Sequence, residues 1–223
     1  MIEDEIFKKA RVNFDKIKAC GFNKIKAGWN YKKNFMDDNF RADITIDEDG
    51  KISGKVFDIQ NGEEYLPFRV ENMQDGFSSM VKDEYRKILK EIFEKCFDET
   101  YFVSNQANRI CDLIYQKYKI KPDFPWAGQK AASDAGVFRK KSEKWFALIM
   151  NVKKDRLITG AKGDIDIINL KLDEDEIQKL ITKAGFYPAY HMNKKGWITV
   201  ILDETLLDEN IMEFVLKSYQ NVK

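Results

Sequence analysis

The residues best suited to chemistry are cationic and aromatic, and they gather in the second half of the chain. Arg139, Lys140, Lys141 and Lys144 bracket a turn between two apolar runs, while Lys194 and Lys195 follow His191 and Asn193 in a loop that leads into another. Cations at hairpin tips approach a phosphate backbone and release its counterions, which gives affinity without sequence preference. Lys153, Lys154, Arg156 and Lys162 crowd a further connection. Solvated lysines are also the ordinary covering of hairpin ends, so plain surface is the competing reading. Trp145, Phe146 and Trp197 carry faces on which unpaired bases could stack, but their apolar neighbours assign them to a core. Trp126, beside Pro125 in a loop, is the aromatic expected at a surface. Together with His191 and Asn193, it is a candidate for touching a ligand.

Other chemistries find no support in the residue types. His191 is the only histidine, which excludes a histidine metal cluster and a Ser-His-Asp triad. Where a loop enters a strand, it is expected to hold that loop by hydrogen bonding. The acids at 173–176, and Asp203, Glu204, Asp208 and Glu209, are explained by helix capping and the helix dipole. Gly160 and Gly163 do not sit between a strand and a helix as a phosphate-binding loop requires. No catalytic residue, no metal and no cofactor is expected, and the chain is read as a non-enzyme. Cys20, Cys96 and Cys111 lie on or beside separate helix stripes without a CxxC pair, so all three are expected to be unbridged thiols.

The elements that would position these groups follow from periodicity. Residues 3–19 place Ile6, Phe7, Ala10, Phe14 and Ile17 at helical spacing. Residues 41–47, 51–59 and 64–70 read as an antiparallel meander punctuated by Gly50 and Asn61-Gly62. Residues 78–97 carry the strongest helical stripe, through Val81, Tyr85, Ile88, Leu89, Ile92 and Cys96. Periodicity lapses at 98–103, and Ser104 then caps a helix carrying Ile110, Cys111, Ile114 and Tyr118. Strands follow at 134–140, 144–152, 164–172 and 196–203. A short helix capped by Asp173 stops at Gly185, and a last helix opens at Asp208. Helices segregated from antiparallel strands define an α+β fold of two small domains, 1–98 and 104–223, each an antiparallel sheet with helices packed against it.

Composition suits this reading. The 223 residues are 43% hydrophobic with four prolines, enough to bury a core in each half. No apolar run approaches the roughly 20 residues that cross a bilayer, and the N-terminus opens with acids, so a cytoplasmic protein without a membrane partner is expected. Residues 1–100 hold 18 Lys/Arg against 21 Asp/Glu, and residues 101–223 hold 20 against 16, nets of −3 and +4. A net of +4 is compatible with a polyanion partner without requiring one.

Several phrases carry a family resemblance: Pro125-Trp126, Val137-Phe138-Arg139, Lys144-Trp145-Phe146-Ala147, Ile168-Asn169-Leu170-Lys171, and above all the run from Pro188 through His191, Asn193 and Gly196 to Trp197. From about Asn105 onward the chain resembles the MmcQ/YjbR family, in a longer form with an added N-terminal domain. The resemblance implies a frataxin-like antiparallel sheet backed by helices, described as a double-wing DNA-binding module. Residues 127–133 look like extra length. The leading expectation is weak, sequence-independent binding of DNA by the basic turns, with Arg139, Lys140, Lys141, Lys144, Lys194 and Lys195 as contacts. The alternative is a protein partner held on the sheet face or in a groove between the domains.

Overall fold

In the computed structural model of the chain, residues 1–70, 76–129 and 134–222 are described. The chain divides into two compact units, Met1–Thr100 and Tyr101–Lys223. Both mix helices with antiparallel sheet, so the architecture is α+β.

In the first unit the stripe over 3–19 does not form one helix. The chain makes α1 (Ile2–Ile6), then β1 (Ala10–Val12), then turns through residue 21. The reason is non-local: β1 pairs with a strand near residue 98, and Asn13 closes an Asx turn by accepting from Asp15 N at 3.2 Å. Phe14, on the expected apolar stripe, is consequently 46% exposed. β2 (Asn23–Ile25), β3 (Gly28–Phe35), β4 (Phe40–Ile46) and β5 (Ile52–Asp58) form a four-stranded sheet in sequential order. β4 alternates buried and half-buried residues along its length, the mark of a strand with one face on a core. Residues 64–70, read as a strand, instead turn through a 3₁₀ helix at Pro67–Arg69, since Pro67 lacks the N–H that a ladder needs. The long helix α2 (Gly76–Cys96) lays Val81, Tyr85, Ile88, Leu89 and Ile92 into the core with Ile44, Ile46 and Val56 of the sheet. Gly54 is required in β5: a Cβ there would stand 2.0 Å from the Tyr85 hydroxyl. β6 (Phe97–Glu99) pairs with β1 and ends the unit.

Cys20 and Cys96 are joined by a disulfide, with Cα atoms 6.2 Å apart, so the expectation of three free thiols is corrected. The helical spacing that put Cys20 on its own stripe does not survive. The turn containing it folds back onto the end of α2, where Asn13 N donates to Cys96 O at 2.8 Å. Cys111 is a buried free thiol, and burial, with the Asp112 charge adding to it, pushes its pKa up to about 12.

The second unit keeps most of its expected elements. Ser104 caps α3 (Asn105–Tyr118), its Oγ accepting from Ala107 N at 3.1 Å. β7 (Gly136–Arg139), β8 (Trp145–Lys153) and β9 (Asp164–Lys171) follow, then α4 (Glu174–Leu180), the unforeseen short strand β10 (Phe186–Pro188), β11 (Trp197–Ile201) and α5 (Asp208–Asn221). The sheet order is β10-β11-β9-β8-β7, antiparallel throughout. Phe138, Phe146, Ile149, Ile168, Leu170, Ile198 and Val200 form one core with residues of α3, α4 and α5. Smaller apolar groups, Val152, Ile165 and Ile167 with Leu157 and Tyr187, and Val137 and Leu148 with Trp126 and Met192, are covered from the connecting segments. Of the stretch read as extra length, 130–133 lie outside the described residues.

Candidate nucleic-acid interface

The register decides which basic turns meet. Arg139 pairs with Trp145, Ala147 with Leu170, and Lys171 with Trp197. The end of β7, the start of β8, the end of β9 and the start of β11 therefore fall on one margin of the sheet. The 140–144 turn and the loop ahead of Trp197 are brought together there. The connection carrying Lys153, Lys154, Arg156 and Lys162 joins the other ends of β8 and β9 and lies on the opposite margin.

The first turn is tight: Lys140 N donates to Lys144 O and Glu143 N to Lys140 O, both at 2.9 Å, with Glu143 in the left-handed region at φ +61°. Its cations divide into engaged and free. Arg139 donates from Nε to Asp123 at 3.1 Å and lies over the Trp145 ring at 5.2 Å. The Lys140 ammonium donates to the carbonyl of Val222 and sits 4.4 Å from the Tyr219 ring, so it fastens the turn to α5. Lys141 and Lys144 are exposed, and neither ammonium has a partner among the described residues.

In the second loop Asn193 is structural. Its side chain accepts from Lys195 N at 3.0 Å and its carbonyl from Gly196 N at 3.1 Å, which holds Lys194 and Lys195 outward. Lys195 is 78% exposed and meets Glu174 only at 3.9 Å. His191 does not anchor the loop as expected; it is exposed, at φ +56°, edge-on to Tyr190 with ring centroids 4.2 Å apart. Two strand residues hold the loop instead. Tyr190 N donates to Thr199 Oγ1 at 2.8 Å, Thr199 Oγ1 donates to Asn169 Oδ1 at 2.5 Å, and Asn169 Nδ2 donates to Tyr190 O at 3.2 Å. Asn169 and Thr199 are both fully buried. The legible signal for them is a polar residue at a buried strand position, which demands a partner.

Trp126 is half-buried, edge-on to Trp145 with centroids 5.5 Å apart. Phe146 is fully buried, while Trp145 and Trp197 are half-buried. Acids dilute the margin: Glu143 and Glu174 stand within it, and Glu176 is engaged by Lys217 at 2.5 Å. At the far end Arg109 ties α3 to the start of α5 through Asp208 at 2.6 Å and to the segment before it through Glu204 at 2.7 Å. The Arg109 hydrogen bond holds the Asp208 carboxyl below its ordinary range. No cluster of three His, Cys, Asp or Glu suited to a metal occurs among the described residues, nor a helix long and apolar enough to cross a membrane.

The Bacillus subtilis (strain 168) protein YyaQ, itself described as uncharacterized, is 33% identical over 110 residues, a match spanning 49% of this chain and 92% of that protein. The chain belongs to the YjbR family. The YjbR family model matches residues 115–221, which contain β7 to α5 and both turns of the margin. The crystal structure of a Pseudomonas syringae protein covers 54% of this chain and 100% of its own, with 35% identity and a TM-score of 0.50. The residues matched by the YjbR family model lie within the second unit.

Proposed function

We propose that the second unit binds nucleic acid, without strong sequence preference, on the margin that carries Lys141, Lys144, Lys194 and Lys195. The observation that supports this most is the register: two basic turns distant in sequence share one end of the sheet, and these four ammonium groups are exposed. Exposed lysines, of which only Lys195 has an ion pair among the described residues, a long one of 3.9 Å to Glu174, cost little to bring to a phosphate, whereas Arg139 and Lys140 already serve the fold. The C-termini of α3 and α5 lie at the same margin and each contributes a partial negative charge; with Glu143 and Glu174 they keep the affinity weak. The reading is of a binding protein without catalysis. A second reading, a protein partner, is favoured by the half-buried Trp126, Trp145, Met150 and Met192 on the opposite sheet face.

Replacing Lys141, Lys144, Lys194 and Lys195 together with glutamine should leave the melting temperature nearly unchanged, because exposed charges contribute little stability. Duplex DNA binding at low salt, read by fluorescence anisotropy, should be lost. The matched variant at the other margin, Lys154, Arg156 and Lys162 to glutamine, should bind as the unmodified chain does. Equal losses in both variants would mean that only net charge matters and would remove the margin as a site.

A further inference from the structure

Resting on the nucleic-acid reading, we infer that Tyr115, with Lys119 and Lys121, forms a stacking site for an unpaired base, which makes a single strand the preferred ligand of this margin. Tyr115 lies in the last turn of α3 and is 42% exposed. The chain reverses immediately beyond it: Lys119 adopts φ +58° and donates its N–H to Tyr115 O at 2.8 Å. That reversal hangs two ammonium groups by the ring, Lys119 Nζ at 5.5 Å and Lys121 Nζ at 5.6 Å from its centroid.

The position of this group follows from contacts already in the fold. The next α3 residue but two, Tyr118, stacks on Tyr219 at 4.2 Å and meets Phe146 edge-on, which puts the helix end at the margin of the basic turns. The segment after α3 then runs along β7 through reciprocal hydrogen bonds between Asp123 and Val137 at 2.7 and 2.9 Å, and Arg139 reaches Asp123 from the end of that strand. Tyr115 and its two lysines therefore continue the cationic margin around the β7 edge.

An aromatic face flanked by two cations matches the two halves of a nucleotide. A lysine over an exposed ring is weakly held, by about 0.5–1 kcal/mol, so a phosphate can draw it off and leave the ring to a base. Duplex bases are already stacked and cannot use the ring, whereas single strands bind through such platforms in a sequence-tolerant way. Trp145, the aromatic nearest the basic turn in sequence, is unsuited: Arg139 covers it and Trp126 abuts it.

The test compares a single-stranded oligothymidine with a duplex of equal length, by anisotropy at low salt, for the unmodified chain, Tyr115→Ala and Tyr115→Phe. Loss of a stacked base should weaken single-strand binding by roughly five- to one-hundred-fold in Tyr115→Ala. Tyr115→Phe should bind as the unmodified chain does, and duplex affinity should not move in either variant. Unchanged single-strand affinity in Tyr115→Ala, or an equal fall on both ligands, overturns the stacking site while leaving the basic margin standing. Failure of the unmodified chain to bind either ligand removes the reading beneath it as well.

Discussion

Replacing Glu3 with alanine should destabilise the first unit by about 3–5 kcal/mol, the range for breaking a buried ion pair from one side. Glu3 is 1% exposed. Its Oε1 accepts from the Tyr85 hydroxyl at 2.6 Å and from Arg69 Nη2 at 3.0 Å, and its Oε2 accepts from Arg69 Nη1 at 3.3 Å. Removing the carboxylate leaves the Tyr85 hydroxyl without its acceptor and Arg69, whose side chain is 22% exposed, without its counter-charge. Glu3→Gln should cost less, since an amide still accepts from Tyr85. Hydrogen exchange is the suitable probe: amides of α2 and β5 should exchange faster, and those of the second unit should not. Unchanged exchange in α2 would show that the ion pair is dispensable.

The same cluster fixes an acid dependence. Burial raises the Glu3 pKa, but the hydrogen bonds from Arg69 and Tyr85 outweigh it and hold the carboxyl below its ordinary value. A group with a depressed folded pKa contributes stability that is fully present above its unfolded pKa, ~4.3 for glutamate, and is lost as pH falls through the folded value. The first unit should therefore weaken below about pH 4, and the acid sensitivity should shrink in Glu3→Gln.

The second large effect comes from the Cys20–Cys96 disulfide. It closes a loop with a sequence separation of 76, for which chain entropy alone gives about 4 kcal/mol, and measured bridges typically contribute about 2–4. Cys20→Ser should lower the first unit's unfolding midpoint accordingly. Cys20 is the half-buried partner, so serine there introduces less strain than at fully buried Cys96. A dithiol reductant should reproduce the loss in the unmodified chain and add nothing in Cys20→Ser. Equal stability with and without reductant would contradict a bridge between the turn and α2.

How far the sequence could be read follows from where each element finds its partners. α2 was legible because its stripe is continuous and its partners lie on one face; β8, β9 and β11 were legible as apolar runs bounded by turn residues. The 3–19 stripe misled because β1 is stabilised by β6, more than 80 residues away, and periodicity carries no information about such a pairing. β2 and β3 escaped notice because Asn30, Lys32, Lys33 and Asn34 dilute their pattern. The disulfide was invisible for the same reason as β1: it depends on where the turn folds, not on spacing.

For the site, residue types were legible and their employment was not. That the 140–144 turn and the 193–196 loop share a margin depends on β11 lying between β10 and β9. That Lys140 is committed to α5 while Lys141 is not depends on side-chain geometry. Tyr115 left a readable trace, an aromatic standing off the stripe of Ile110, Cys111, Ile114 and Tyr118.

The most direct test of the central claim is the salt dependence of duplex DNA binding by the unmodified full chain. Each phosphate neutralised contributes about −0.9 to the slope of log affinity against log salt, so three to four lysine contacts predict a slope of roughly −3 to −4. Anisotropy titrations at several salt concentrations give that slope. No binding of either duplex or single-stranded DNA at low salt, where phosphate contacts are strongest, or a slope near zero, would contradict a nucleic-acid interface on this margin.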